Sequence, residues 1–471
     1  MKKYYDVHNH LFNKHFLGKE LMYRMMKELR KFLDFQQDRS LDRGPDRGLK
    51  KVIKSFRRYK NAIRVFTRKN SIAIYEELNK TYEGEFILTP LTFDLTYCFS
   101  PSADRDIQED TQEVAQNASE DEMSILFGLI EKQSRELSRD FNPDANSEGD
   151  NLWQEYQEEK SQFLKEIELF QQGEPEDVEQ ESGTRGIFKR KTAFDGWKEQ
   201  LRQIEELKNH SDYGKMIYPF LAIDPRRPGI VEYAKDNVGK NKLFAGIKLY
   251  CPNGYSPTDP LLFGSEGNRD GLYAWCEDNG IPVTAHNSDG GFATLAASVV
   301  VNGDIQVNGK LHQLNNELLK FSKKITEKDA IYERALALNH PLIWRKVADK
   351  YPNLLLNLAH FGGGRQLEAA MDHPENKTLW SNQIIELIKD ERYNVYTDVS
   401  CFYDFDAIEK LINSEVYPKI QKRILYGSDY TLLLLFEDNF EENIRLFREK
   451  FGSDFDIIAR DNPEVFLKNV I

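Results

Sequence analysis

The sequence has few cysteines and no long apolar segment. Its 4 cysteines, at positions 98, 251, 276 and 401, form no CxxC pair, which excludes a disulfide scaffold and a cysteine zinc site. The longest apolar runs, such as Ala293–Val301, are far shorter than the roughly 20 residues of a membrane span. No apolar signal core follows the lysines at positions 2 and 3. We therefore expect a reduced, cytoplasmic protein with no membrane partner.

A basic excess is also absent. Lys+Arg number 64 and Asp+Glu 77, which gives a net charge of -13, and this charge opposes binding to nucleic acid and anionic lipid. Hydrophobic residues make up 40% of the chain and aromatic residues 12%. These fractions are large enough to form a sizeable core, and they argue against global disorder. We expect a small-molecule substrate and no nucleic acid partner, and a homo-oligomer is compatible with the sequence.

Short apolar runs alternate with long helical stretches, as expected for βα units around a parallel sheet. The runs are nearly continuous, which is typical of strands buried on both faces. The predicted strands are Tyr4–His10, Phe86–Phe93, Ile217–Ile223, Phe244–Tyr250, Pro282–His286, Leu354–His360, Val395–Ser400 and Arg423–Ser428. Eight parallel strands close a (β/α)8 TIM barrel, the α/β fold that we predict, although a doubly wound sheet would give similar runs.

The connections divide the predicted barrel into three parts. Residues 1–99 hold strands one and two with a helical first connection, and residues 216–471 hold the remainder of the barrel. Residues 100–215 form a long insertion after strand two, in which Asp150–Phe170 and Trp197–Leu207 have helical apolar spacing. Because βα loops emerge on the active-site face of a barrel, we expect this helical insertion to be a lid or a dimerisation arm.

A basic segment lies within the first connection. Nine lysines and arginines between Lys50 and Lys69 alternate with apolar residues at helical spacing. One interpretation is a basic helix that binds an anion or nucleic acid. The other is an amphipathic helix with an apolar inner face and a solvated basic face. The acidic remainder of the chain favours the second.

Residues that can bind metal fall at the carboxyl ends of four predicted strands. His8 and His10 are two positions apart on the first strand, so their side chains share one face, roughly 6.6 Å apart. His286 and His360 end the fifth and sixth strands, and Asp429 follows the eighth. Each residue alone has an ordinary structural explanation. As a set, they point to the barrel face that carries catalytic residues, and they predict a metal site.

Other polar residues follow predicted strands and are candidates for binding substrate. Arg226 follows the third strand and Arg365 the sixth, and a guanidinium group there could clamp a carboxylate. A structural ion pair or a solvated arginine is the alternative for each. Tyr250 and Asn287 lie at the ends of the fourth and fifth strands and are further candidates.

The order of these residues resembles that of the amidohydrolase superfamily of metal-dependent hydrolases. It has HxH on strand one, lysine on strand four, histidine on strands five and six, and aspartate on strand eight. The segments GIKLYCPNGYSP, AHFGGG, YGSD and DNPEVFL resemble the amidohydrolase-2 branch, which includes enzymes similar to aminocarboxymuconate-semialdehyde decarboxylase. The resemblance covers strand one and residues from about 218 onward, but not the insertion.

This resemblance implies a divalent metal, most often zinc and about one per chain. The implied ligands are His8, His10, His286 and Asp429. His360 would be a catalytic residue beside the metal or a residue that supports the metal ligands, and Asp429 could also accept a proton from water. Nitrogen and carboxylate ligands suit zinc, manganese, iron or cobalt.

Lys248, on the fourth strand, has three interpretations. It could be carbamylated and bridge a second metal, it could pair as an ammonium group with a substrate carboxylate, or it could be structural. The sequence does not separate these three roles.

The implied function is that of a hydrolase that uses metal-activated water on a small carboxylate-bearing or cyclic amide or ester compound. A non-oxidative, metal-dependent decarboxylase would use the same residues. An alternative from another class is a non-catalytic metal-binding scaffold, which the complete set of ligand residues argues against.

Overall fold

A computed structural model of the chain describes residues 3–13, 16, 45–99, 147–172, 193–265, 267–324, 327 and 329–471. Its strands are β1 (Tyr4–Asn9), β2 (Phe86–Pro90), β3 (Phe220–Ile223), β4 (Gly246–Leu249), β5 (Val283–Ser288), β6 (Ser298–Val307), β7 (Lys310–Lys320), β8 (Leu356–Gly362), β9 (Val395–Asp398) and β10 (Ile424–Leu425). All the strands except the β6–β7 pair run parallel to their neighbours. Each of the eight predicted strands is therefore present.

The parallel strands follow the order of a barrel. β1 pairs with β2, and β3, β4, β5, β8, β9 and β10 form one continuous sheet. Backbone hydrogen bonds cross both remaining seams: the Tyr218 N–H donates to the Leu88 carbonyl over 2.9 Å, and the Val7 N–H donates to the Tyr426 carbonyl over 3.1 Å. The strands thus complete a ring, and the predicted (β/α)8 barrel is confirmed.

Helices lie between successive strands of the barrel. Their bounds are α1 (Pro45–Phe66), α2 (Ser71–Thr81), α3 (Thr96–Phe99), α4 (Ser147–Gln172), α5 (Ala193–Lys208), α6 (Ile230–Asn237), α7 (Pro260–Phe263), α8 (Leu272–Asn279), α9 (Ala330–Asn339), α10 (Pro341–Lys350), α11 (Gly364–Asp372), α12 (Trp380–Lys389), α13 (Asp406–Ile412), α14 (Tyr417–Ile420), α15 (Tyr430–Leu433), α16 (Phe440–Phe451), α17 (Asp454–Asp456) and α18 (Asn462–Leu467). Single helical turns occur at Gly214–Met216, Cys251–Asn253, Gln421–Arg423 and Ile457–Asp461. Among the described residues, no helix combines the length and apolarity that crossing a bilayer requires.

Helix α1 is amphipathic and contains seven of the nine lysines and arginines of the basic segment, all except Arg68 and Lys69. Its apolar side is buried and includes Phe56, whose ring stacks on Phe163 of α4 with centroids 5.2 Å apart. On its polar side, Arg57 and Lys60 form ion pairs of 2.9 and 2.6 Å with Glu159 of α4. The interpretation as an amphipathic helix with an apolar inner face is therefore confirmed, and part of its basic face is neutralised within the chain.

The insertion contributes α4 and α5 to the described part of the molecule. Helix α4 packs on α1 through Tyr156 and Phe163, both fully buried. Helix α5 reaches the barrel, where the Gln200 side chain accepts a hydrogen bond of 2.8 Å from the Phe93 N–H. These contacts confirm helices in this region. Whether the insertion acts as a lid or as a dimerisation arm stays a prediction, and residues 100–146 and 173–192 lie outside the described residues.

A second insertion was not predicted. After β5, the chain forms the antiparallel hairpin of β6 and β7, in which Val307 pairs with Lys310 next to the turn. Both turn residues, Asn308 and Gly309, have positive φ angles, 50° and 76°, as a two-residue hairpin turn of Asn-Gly requires. The inner face of the hairpin packs against α9 through a small apolar cluster that includes Val299, Val301 and Leu338.

Candidate metal centre

Strand β1 carries His8 and delivers His10 just beyond its end, and both side chains are almost completely buried. His10 Nδ1 lies 2.8 Å from the Leu91 carbonyl oxygen. His8 Nδ1 lies 2.9 Å from Asp398 Oδ2. A carbonyl or carboxylate oxygen only accepts hydrogen bonds, so each Nδ1 carries the proton. Each Nε2 is left with a lone pair, as a metal ligand needs.

Asp429 lies close to these two nitrogen atoms, on the other side of the seam between β1 and β10. It directly precedes α15 in a left-handed conformation with φ of 54°, and its N–H donates to the His8 carbonyl over 2.7 Å. Its Oδ1 atom lies 3.3 Å from His10 Nε2 and 3.9 Å from His8 Nε2. Burial raises the pKa of Asp429, while His8 and Lys248 oppose that shift.

These three residues fit a divalent metal. One ligand atom from each lies within 4.8 Å of the others. Asp429 Oδ1 is buried and has no hydrogen-bond partner among the described residues, and such an oxygen is costly unless a proton donor or a cation satisfies it. Two imidazole nitrogens and one carboxylate oxygen suit zinc and several other transition metals. We infer that His8, His10 and Asp429 would hold the metal.

Asp398 and Ser400, at the end of β9, support this cluster and were not predicted as site residues. The Asp398 carboxylate accepts hydrogen bonds from the His8 ring, from the Asn357 amide over 2.7 Å, from the His360 N–H over 2.9 Å and from the Ser400 hydroxyl. Although burial opposes ionisation, these contacts and the nearby histidines hold the pKa of Asp398 well below its usual value. Asp398 is thus a buried carboxylate that orients its neighbours.

His360 lies beside the cluster, as predicted. Its ring centroid is 4.6 Å from that of His8 and 4.7 Å from that of His286. Burial, together with His8, lowers the pKa of His360 to about 3, so the side chain is neutral near pH 7. His360 and Phe361 have positive φ angles of 66° and 52°, an uncommon conformation for residues other than glycine. This turn places the imidazole at the barrel mouth.

His286 is near the cluster, but the structure gives it a different partner. Its ring stacks on Tyr250 with centroids 4.1 Å apart, and its Nε2 lies 3.0 Å from the Gly290 carbonyl. A Cβ atom at Gly291 would lie 2.9 Å from His286 Cε1, so this glycine permits the loop to close over the ring. The convergent ligand atoms do not include His286, and its role as a fourth ligand stays a prediction.

Lys248, on β4, points to the same cluster. Its Nζ lies 3.4 Å from His8 Nε2, and its side chain is buried. Burial lowers the pKa of Lys248 to about 8, although Asp398 and Asp429 oppose the shift. Among the described residues, Lys248 forms no ion pair. Which of its three interpretations applies stays a prediction.

The sequence of this chain matches a family model over more than half of its length. The model is that of the amidohydrolases, Amidohydro_2, and it matches residues 170–464. The chain belongs to this amidohydrolase family. His8 and His10 lie outside the matched range, and the pairing of β1 with β2 and β10 brings them to Asp429, which lies inside it. The predicted membership of the amidohydrolase superfamily is thus confirmed, and with it an enzyme of hydrolase or lyase type.

Three solved structures are similar to this amidohydrolase at low sequence identity. An uncharacterised TIM-barrel protein from Bordetella bronchiseptica is 17% identical over 57% of this chain and 72% of that chain, with a TM-score of 0.32. A putative amidohydrolase from Staphylococcus aureus is 13% identical over 57% and 81%, with a TM-score of 0.33. IDCase from Metarhizium anisopliae, in its apo form, is 14% identical over 56% and 68%, with a TM-score of 0.30. No protein of curated function matches the chain.

The predicted substrate-binding residues of the amidohydrolase occupy different surroundings. Arg226 forms a two-point ion pair with Asp224, with contacts of 2.6 and 2.8 Å. Arg365 is exposed at the start of α11 and forms no ion pair with any described residue. The Asn287 amide donates to the Asn339 carbonyl over 2.8 Å. The structure does not bring these three side chains to the metal cluster, because each has another partner or faces solvent.

Tyr250 is the predicted substrate-binding residue that the structure does bring to the site. It contacts His286 and lines a small cavity that also includes Lys248. The cavity is lined by Phe93, Asp94, Ala222, Ile223, Asp224, Lys248, Tyr250, Asn253 and Tyr255. The arginine that follows Arg226 neutralises one of its acids: Arg227 pairs with Asp94 over 2.8 Å. Lys248 is thus a basic group shared by the cavity and the metal cluster.

Proposed function

We propose that this amidohydrolase is a metal-dependent hydrolase of a small carboxylate-bearing or cyclic amide or ester compound. The observation that carries the proposal is the convergence of His8, His10 and Asp429 around a buried carboxylate oxygen that has no hydrogen-bond donor among the described residues. A divalent metal, for which zinc is our proposal, would supply Lewis acidity that makes water a nucleophile near neutral pH. The side chains around the metal would transfer protons and bind the substrate.

Three residues have roles that follow from their surroundings. The Asp429 carboxylate can accept a proton from the attacking water, because no donor in the described part of the chain competes for its Oδ1. His360, neutral and adjacent to His8, can accept or transfer a further proton. Lys248 can hold an anionic group of the substrate, because it has no carboxylate partner of its own among the described residues and borders the cavity beside Tyr250.

Lys248 also favours a second candidate, non-oxidative decarboxylation, because it forms no ion pair with any carboxylate that the structure describes. In that reaction the substrate loses CO2, and the electron pair of the broken C–C bond remains on carbon until a proton arrives. Lys248 in its ammonium form could bind the carboxylate or supply that proton. If Lys248 were instead carbamylated, it could help to bind a second metal, and mass spectrometry of the intact chain would detect the added mass.

The two candidates are separated by assaying the zinc-loaded chain. Cyclic amides, lactones and N-acyl amino acids are assayed for hydrolysis, and conjugated carboxylic acids for CO2 release. A His360→Asn variant should retain its metal while turnover falls on the order of 10²–10⁴-fold. A His312→Ala variant, in which an exposed histidine of β7 is replaced, is the matched control. A metal-loaded chain that turns over neither class would refute both candidates and favour a scaffold.

A further inference from the structure

Ser400 contacts two histidines and one carboxylate at once. Its Oγ lies 2.9 Å from His360 Nδ1 and 3.1 Å from His8 Nδ1, and its hydroxyl donates to Asp398 Oδ1. The Ser400 side chain is buried. A hydroxyl has a single proton, so at most one of these three contacts can have the serine as donor. The positions of the remaining protons follow from this limit.

The carboxylate determines the direction of each hydrogen bond. The Oδ1 atom of Asp398 already accepts from the backbone N–H groups of His360, over 2.9 Å, and of Ser400, over 3.2 Å, and the Ser400 hydroxyl donates to the same oxygen. Ser400 Oγ can then only accept from His360 Nδ1, so that nitrogen must carry a proton. The Ser400 carbonyl, 3.4 Å from the same nitrogen, is also only an acceptor. His8 needs no such relay, since its Nδ1 donates directly to Asp398.

We propose that Ser400 is a positioning residue that relays the charge of Asp398 to His360 and fixes His360 as its Nδ1–H tautomer. His360 therefore presents an unprotonated Nε2 in the resting enzyme. Such a nitrogen must accept a proton before it can donate one, so in turnover His360 would first act as a proton acceptor. The inference rests on the proposed function only for this role in turnover, whereas the tautomer is a property of the resting protein.

The tautomer can be measured without a substrate. In the full-length, Zn²⁺-loaded chain with ¹⁵N-labelled histidine, protonated and unprotonated ring nitrogens have well-separated NMR shifts. A His360→Gln variant identifies the His360 signals by their loss, and a His8→Gln variant those of His8. In the wild-type chain, His360 should show a protonated Nδ1 and an unprotonated Nε2.

Substitution of the serine tests the relay. Ser400→Ala should remove the preference of His360 for Nδ1–H and leave His8 unchanged, because His8 bonds directly to Asp398. Ser400→Thr keeps the hydroxyl and should keep the tautomer. Ser256→Ala is a matched control: it removes another buried hydroxyl, which donates to the Asp304 carbonyl over 2.7 Å, and should change neither histidine.

Turnover provides a second measurement once a substrate is known. Loss of a partner that orients a catalytic histidine typically costs about 10–100-fold, so kcat of Ser400→Ala should fall by that factor while zinc content is unchanged. A wild-type His360 protonated on Nε2, or a Ser400→Ala chain whose His360 keeps its tautomer, would overturn the proposal. If no hydrolase or decarboxylase activity is found, the proposed function fails, but the NMR result still decides the relay.

Discussion

At the scale of single residues, the first prediction follows from the buried Asp429 oxygen, which has no hydrogen-bond partner among the residues that the structure describes. A chain purified without chelator should contain about one divalent metal ion, and His8→Ala/His10→Ala should contain almost none, because two of three convergent ligands are lost. Elemental analysis measures the metal content. His312→Ala, an exposed histidine variant, should retain the wild-type content. A double variant that remains fully metallated would place the metal elsewhere.

Residues at the site could be predicted from sequence when their chemistry is distinctive and their position on a strand is clear. His8, His10, His360 and Asp429 met both conditions. Asp398 and Ser400 met the second condition, since they end the predicted strand Val395–Ser400. They were missed because serine and aspartate are common at strand ends and because their importance comes from long-range contacts with His8 and His360.

Asn287 is the opposite case, a residue that was predicted to lie at the site but does not. It follows His286 directly, and successive residues of a strand point to opposite sides. The histidine faces the barrel mouth, and the asparagine therefore faces outward, where it bonds to α9. A strict use of this alternation would have excluded Asn287 from the site.

At the scale of elements, the start of α10 predicts a pH dependence of stability. His340 precedes this helix, its Nδ1 accepts a hydrogen bond from the Leu342 N–H, and burial lowers its pKa to about 4. Below about pH 6.5 the unfolded chain binds a proton that the folded chain excludes. The free energy of unfolding should therefore decrease as pH falls from about 6.5 towards about 4, by roughly 2 kcal/mol between about pH 7 and about pH 5.

The matched variant for this effect is His340→Asn, because asparagine also caps a helix N-terminus but does not titrate. Urea denaturation of both chains at the two pH values gives the difference. The prediction fails if the wild type and the variant lose equal stability on acidification.

The contact between α1 and α4 predicts how firmly the insertion is attached. Phe163 is fully buried against Phe56, so Phe163→Ala should cost about 3–5 kcal/mol. The nearby pair of Lys60 and Glu159 is partly exposed, and Lys60→Ala should cost less than about 1 kcal/mol. Urea denaturation compares the two. Equal effects would show that ion pairs, and not aromatic packing, hold the insertion on α1.

Elements were predicted best where the apolar runs were continuous. Strand β3 is an example, because it is buried on both faces and its residues, FLAI, are all apolar. The hairpin of β6 and β7 was missed because β7 is mostly exposed and its apolar residues are sparse. Its turn nevertheless contains Asn308-Gly309, the strongest short-range signal for a hairpin, and this dipeptide could have revealed it.

At the scale of the whole molecule, the position of the metal ligands predicts a link between metal binding and stability. His8 on β1 and Asp429 after β10 lie on opposite sides of one barrel seam. A ligand that binds only the folded state stabilises it, so chelation should lower the Tm by several degrees and Zn²⁺ should restore it. Calorimetry of the His8→Ala/His10→Ala variant should show no response to either treatment. A similar response in that variant would contradict the prediction.

The seam between β1 and β10 also sets an order of events during protein synthesis. His8 and His10 leave the ribosome first, whereas Asp429 follows only after almost all of the barrel has been made. Closing a loop of such length is entropically costly and slow. The two histidines therefore remain without their carboxylate partner until Asp429 has been synthesised and the barrel closes. Ribosome-bound chains that stop before Asp429 should therefore bind Zn²⁺ more weakly than the released protein, and the last strand would complete both the barrel and its metal centre.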